Sequence, residues 1–181
     1  MRLNDLRNAI VASLKANIPE LRDVQRHGGR FDEEELRRFS LRAPAARVAL
    51  MGVSRMDLED IGKLAGPVQM IIYLIVKTRS GEDDDGLDLA EKIADFCEFN
   101  QWGMTEIEAA HVTALQNLYN SQTDREGIHL WAIAFDQAIA FGTNRQEEPP
   151  TGDEGLGLDG LSNWPAAIED ENGNVIWSAG Q

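Results

Sequence analysis

The chain has 181 residues, of which 17 are basic and 31 acidic, and a formal net charge of −14 at pH 7. This acidic balance repels phosphate backbones and anionic membrane surfaces. It therefore argues against DNA or RNA as a main ligand and against membrane binding. The longest apolar run, residues 70–76, is far shorter than the roughly 20 residues of a membrane-spanning helix, and the single cysteine excludes an internal disulfide.

The first predicted element is an amphipathic helix. Apolar residues recur every three or four positions, which places them on one helical face, and Pro19 ends the helix soon after. Arg2, Asp5 and Arg7 interrupt the start, so it lacks the apolar run of a secretory signal, and we expect a cytosolic chain. The apolar face consists of Leu3, Leu6, Ile10, Leu14 and Ile18.

Short strands and one short helix are predicted between residues 21 and 78. The last of these strands follows Gly66-Pro67 and carries apolar residues at both alternating positions, which predicts a sheet covered on both faces. A turn is expected at His27-Gly28-Gly29. The predicted elements are strand 21–27, helix 32–39, strand 47–53 and strand 68–78.

A second long helix and a hairpin complete this part of the chain. An apolar stripe predicts a helix over 87–97, and two β-rich runs, 113–119 and 128–139, flank a polar turn. The last strand has one bulky and one small-residue face, the latter containing Ala132, Ala134, Ala138 and Ala140, so a close neighbour is expected there. The element order predicts an α+β fold: a mainly antiparallel sheet flanked by two longer helices.

The C-terminal residues differ in composition from the rest. Residues 145–181 contain one arginine and eight acids, a net charge of −7, together with many glycines and prolines. We therefore divide the chain into an α/β domain over residues 1–144 and an extended acidic segment over 145–181, which is flexible or docks onto a neighbour. Asn172-Gly173 predicts a tight turn between short strands in this segment.

No catalytic, cofactor-binding or metal-binding residues are predicted. His27, His111 and His129 lack neighbours at metal-ligand spacing, and Cys97 lies on an apolar helical stripe, where a thiol acts as a small hydrophobic group. We therefore expect a protein that is not an enzyme. The alternative is a small hydrolase, which would require Asp57, Glu59 and Asp60 to converge on His111 or His27.

Charge is also divided along the chain. Residues 1–55 hold eleven of the seventeen basic groups against seven acids, a net charge of +4, which leaves −18 for the remainder. Such a molecule can bind copies of itself head to tail, and these contacts close into rings or continue as filaments. The alternative is two solvated surfaces that merely differ in charge. The candidate subunit-interface residues are Arg37, Arg38, Arg47, Ala132, Ala134, Trp164 and Trp177.

The order and spacing of several segments resemble the small tail proteins of Mu-like phages, which are similar to the tail terminators of long-tailed phages. The resemblance covers roughly residues 1–141 and includes no catalytic motif. It rests on Leu3 to Ile10 (LNDLRNAI), Ile18-Pro19, Gly29-x-Phe31, Pro44-Ala45-x-x-Val48-Ala49-Leu50-x-Gly52, strand 68–78, helix 87–99 and strand 128–135.

This resemblance implies a structural virion protein that is assembled in the host cytoplasm and located in the phage tail. It implies a homo-oligomer, a hexameric ring that caps the tail tube, stops its growth and meets the head-side connector. The expected partners are the tail tube protein and a neck or connector protein, and no cofactor is implied. The alternatives are a head-to-tail joining (neck) protein of the same assembly and an acidic binding module.

Overall fold

The computed structural model of the chain describes residues 2–29, 33–58, 63–78, 86–118, 127–142, 167–169 and 175–178. The chain divides into two compact units, Met1–Thr143 and Asn144–Gln181. No helix within the described ranges is long and apolar enough to cross a membrane. The elements of the first unit are α1 (Leu3–Asn17), β1 (Asp23–His27), α2 (Glu33–Ser40), β2 (Ala45–Val53), β3 (Asp57–Leu58), β4 (Leu64–Lys77), α3 (Leu87–Cys97), β5 (His111–Asn117) and β6 (Ile128–Phe141).

One mixed sheet organises the first unit. Its strand order is β1-β2-β4-β6-β5, and the short β3 pairs with β4. β1 and β2 are parallel, whereas the other pairs are antiparallel. Parallel neighbours need a crossover connection, and the connection between β1 and β2 contains α2. The predicted α+β class is confirmed, and the sheet is mixed because of this one parallel pair.

The first face of the sheet carries the main core. α1 and α3 both pack on this face, through the apolar stripes that their spacing predicts. Strand residues such as Val48, Ile72 and Ile133 are fully buried beneath them. The helix residues in this core are Leu6, Ile10 and Leu14 of α1 and Ala90, Ile93 and Cys97 of α3.

The second face is covered at one end. Leu36 of α2 packs there with Ile75 and Ile128. Further along β6, Ala134, Ala138 and Ala140 are half-buried and belong to none of the apolar clusters among the described residues. Among the described residues, the second face is therefore covered over only part of its length, at the end where α2 packs.

β4 begins earlier than the sequence pattern predicts, at Leu64 instead of Val68. Gly66-Pro67 consequently lies inside the strand, although proline cannot donate to a strand ladder. The Pro67 carbonyl accepts a hydrogen bond from the Ser54 N–H at 3.1 Å, so the proline nitrogen faces the same side. The last β2 pair is Val53 with Val68, and the missing N–H therefore falls beyond the end of β2.

Gly86, directly before α3, provides a stability test. Its φ is +81°, and a Cβ built there would lie 2.5 Å from Cγ2 of Val76. We expect Gly86→Ala to lower the free energy of unfolding in urea by about 2–3 kcal/mol, because it combines left-handed strain with overpacking. Gly28→Ala is the matched control, since a Cβ there meets nothing within 4 Å. Equal losses in the two variants would contradict this explanation.

The second unit contains two described strands, β7 (Ala167–Glu169) and β8 (Val175–Ser178). They pair antiparallel, with Ile168 opposite Trp177, whereas the turn predicted at Asn172-Gly173 lies outside the described residues. The rest of the acidic segment, including Trp164, lies outside the described residues.

Candidate functional site

A basic cavity lies between β1 and α2, and we call it the arginine cavity. Its volume is about 370 Å³, and its lining contains three arginines and one aspartate, which leaves a net charge of +2. Exposed Leu41 and the ring of Phe39 supply an apolar part. The complete lining is Asp23, Gln25, Arg38, Phe39, Leu41, Arg42 and Arg47.

Arg47 forms the buried base of this cavity. Its side chain leaves β2 on the second face of the sheet, and the residue is only 1% exposed. One Nη donates to Asp23 Oδ2 at 2.7 Å and the other to the Ala46 carbonyl at 2.9 Å. The Phe39 ring lies 4.1 Å from the guanidinium carbon, while Nε has no hydrogen-bond partner among the described residues. Arg47, a candidate subunit-interface residue, is thus buried within the subunit, where Phe39 of α2 covers its guanidinium.

Asp23 stays ionised beside this arginine. Burial alone would raise the pKa of Asp23, but the hydrogen bond and the charge of Arg47, with smaller effects of Gln25 and Arg42, hold that pKa below its ordinary value. Arg42 lies 3.9 Å from the same carboxylate oxygen, and its side chain is 70% exposed. The cavity therefore has a neutralised base and a cationic rim.

The other predicted interface residues lie in different surroundings. Arg37 and Arg38 are exposed on α2, and Arg38 forms a 3.4 Å ion pair with Glu35. Ala132 is buried against Ala49 and Tyr73, in the same cross-strand row as Arg47. Ala134 is half-buried one row further along. Trp177 belongs to β8, and Trp164 falls outside the described ranges.

We call the uncovered part of the second sheet face the open face, formed by small residues of β4 and β6. Pro67 pairs with Ala138, and Ala65 pairs with Ala140. A shallow cavity of about 310 Å³ lies against Ala65, Ala138 and Ala140. The polar pair of Gln69 with Asp136 comes next along the two strands, and Ala134 follows it. The residues of the open face are Ala65, Pro67, Ala134, Ala138 and Ala140, all half-buried.

Two histidines lie beside glutamates other than the acids that the hydrolase alternative names. His111 Nδ1 lies 3.0 Å from Glu98, and His27 Nε2 lies 3.6 Å from Glu35. Asp57 is exposed in β3, while residues 59 and 60 lie outside the described ranges. In the part of the chain that the structure describes, no three His, Cys, Asp or Glu side chains form a possible metal-binding group.

Cys97 and Trp102 both belong to the core. Burial raises the pKa of the Cys97 thiol to about 12, consistent with the predicted packing role. Trp102 is only 6% exposed, and its Nε1–H donates to the Gln137 side-chain oxygen at 2.7 Å. A glutamine among the bulky residues of β6 was the sequence signal for this contact.

Comparisons with protein-family models and with curated proteins find no match. A solved structure whose description states no function aligns with 79% of this chain and 99% of its own length. Its sequence identity is 16% and its TM-score is 0.42.

Proposed function

We propose that the protein is a structural virion component, a tail terminator that forms a hexameric ring on the end of a phage tail tube and joins it to the head-side connector. The proposal begins from the sequence resemblance over residues 1–141. The structural observation that supports it is the open face, a sheet surface left uncovered within the first unit's described residues.

The open face is suited to a close neighbour. Small side chains let another backbone approach, and covering their apolar atoms removes them from water. Contact between this face and a different surface of the next copy is heterologous, and such contacts either close into a ring or continue as a filament. The resemblance to tail terminators favours the closed ring of six. The exposed arginines of α2 supply the positive partner for acidic surface on that copy.

Ring formation can be tested on the full chain by native mass spectrometry and negative-stain imaging, alone and with tail tubes. We expect hexameric rings with a central hole, formed at high concentration or on tube ends. Ala134→Glu places a charge on the open face and should abolish the rings. The matched control is Ala16→Glu, which makes the same change at an exposed position of α1 and should leave the rings intact. Circular dichroism checks that both variants fold.

Three outcomes would overturn the proposal. The first is a chain that stays monomeric or two-fold dimeric even with tail tubes present. The second is a ring that binds connector but not tubes, which would indicate a neck protein instead. The third is equal ring formation by the Ala134→Glu and Ala16→Glu variants, which would remove the open face as the contact surface.

A further inference from the structure

We propose that the arginine cavity binds an acidic peptide segment, and that this segment is residues 147–159 of a second copy of the chain. The cavity's base is already paired, since Arg47 contacts Asp23 at 2.7 Å. Arg38 and Arg42 also line the cavity, so a single carboxylate, that of Asp23, faces three arginines and a net positive charge remains at the rim. An anionic occupant is therefore favoured.

The exposed rim arginines are the groups that an occupant would contact. Arg47 is 1% exposed, and its Nε, which has no hydrogen-bond partner among the described residues, is closed to solvent. The side chains of Arg42 and Arg38 are 70% and 65% exposed, so their guanidinium groups are accessible to a carboxylate that enters the cavity.

The apolar part of the cavity lining favours an acidic peptide over an inorganic anion as the ligand. Leu41, on the rim, is 78% exposed, and the Phe39 ring lies between the guanidinium groups of Arg38 and Arg47, at 5.1 and 4.1 Å. A free inorganic anion would contact the arginines alone. A peptide that alternates carboxylates with aliphatic side chains would contact both parts of the lining.

Residues 147–159 of this chain have that composition. The segment contains five acids and no basic residue, and Leu156 and Leu158 lie between Glu154 and Asp159. Asp153 follows Thr143 by ten positions along the chain, and an extended chain of that length spans at most about 35 Å. That is close to the diameter of a domain of this size, so the segment can extend to an adjacent molecule.

The choice of a second copy rests on the proposed function, because in a head-to-tail ring every copy has an adjacent copy that can accept its segment. Each copy would then both donate a segment and accept one. The contact is distinct from the open face and adds salt-sensitive electrostatic attraction to it.

Binding can be measured by fluorescence anisotropy with a labelled peptide of residues 145–163. The acceptor is the full chain with its own segment neutralised by E147Q, E148Q, D153N, E154Q and D159N. We expect saturable binding that weakens with added salt, and no binding of a peptide carrying the same five amides. Arg42→Glu in the acceptor should weaken binding at least tenfold. The matched control, Arg26→Glu, reverses an exposed charge on the opposite face of β1 and should change binding less than twofold.

Competition identifies which copy supplies the segment. At concentrations where the chain is monomeric, the Arg42→Glu chain should displace the labelled peptide, since it can donate its segment but has a weakened cavity of its own. The wild-type chain should bind the labelled peptide as tightly as the neutralised acceptor does, because its own segment leaves its cavity free. Much weaker binding by the wild-type chain would mean that its segment occupies its own cavity, and would overturn the second-copy assignment.

Absent peptide binding, or equal binding by the Arg42→Glu and Arg26→Glu acceptors, would overturn the cavity assignment. These measurements use monomeric protein and do not depend on rings. Rings without peptide binding would therefore contradict only this inference, whereas peptide binding without rings would contradict only the proposed terminator function.

Discussion

Asp23→Asn is expected to lower the free energy of unfolding by about 3 kcal/mol, because it leaves the buried Arg47 guanidinium without its counter-charge. The lost contact is the 2.7 Å pair between Arg47 Nη2 and Asp23 Oδ2. Urea denaturation at pH 7 measures the loss. The double variant Asp23→Asn/Arg47→Met is the control, since removing both charges should recover most of the stability. A single variant as stable as the wild type would show that the pair is dispensable.

The same contact gives a pH dependence. The pKa of Asp23 is lower in the folded chain than its ordinary value, so the folded state favours the ionised form of this carboxyl group. The stabilisation by the Asp23–Arg47 pair is therefore complete above the pKa of about 4 that Asp23 has in the unfolded chain. It is lost as the pH falls through the lower pKa that Asp23 has in the folded chain. The stability difference between wild type and Asp23→Asn should shrink below about pH 4. A constant difference from pH 7 to pH 3 would contradict this linkage.

The second large effect is expected at Gln137, which is buried at the end of the main core. Its Oε1 accepts from the Trp102 indole, and its Nε2 donates to the Glu108 carbonyl at 2.8 Å and the Asn100 carbonyl at 3.2 Å. Gln137→Leu would leave the buried Trp102 indole N–H without its acceptor and remove the hydrogen bonds to the two carbonyls. We expect it to lower the free energy of unfolding by about 2–3 kcal/mol.

Thermal and urea unfolding of Gln137→Leu would be compared with those of Gln116→Leu. Gln116 is an exposed glutamine of β5, so the same substitution there should change stability by less than about 0.5 kcal/mol. A shift in indole fluorescence for Gln137→Leu alone would show that Trp102 has lost its partner. Similar stability of the two variants would contradict the role assigned to this hydrogen-bond network.

Periodicity predicts the helices of this fold well because each long helix buries one continuous stripe. The spacing of Leu6, Ile10 and Leu14 predicts the buried face of α1, and a similar stripe predicts α3. Strand boundaries depend on neighbouring strands as well as on the local pattern. Proline and glycine signals therefore misplace the start of β4, where Pro67 lies beyond the last residue of β2.

The arginine cavity could not be predicted from the sequence in this way. Arg47 belongs to an arginine-rich region, and composition alone treats every arginine there as exposed. Its burial depends on α2 crossing the second face and on Asp23 from the neighbouring strand β1, both of which are tertiary features. The parallel pairing of β1 with β2, which brings Asp23 beside Arg47, also cannot be predicted from local sequence patterns.

Glu98 has a consequence for how copies of this molecule meet. Its carboxylate accepts the Val112 N–H at 2.7 Å, on β5, the terminal strand of the sheet. The same hydrogen bond, helped by His111, lowers the pKa of Glu98. A strand arriving from another molecule would have to displace this anion before it could continue the sheet at Val112. Pairing between the β5 edges of two molecules therefore carries the cost of breaking a charge-assisted hydrogen bond at Val112.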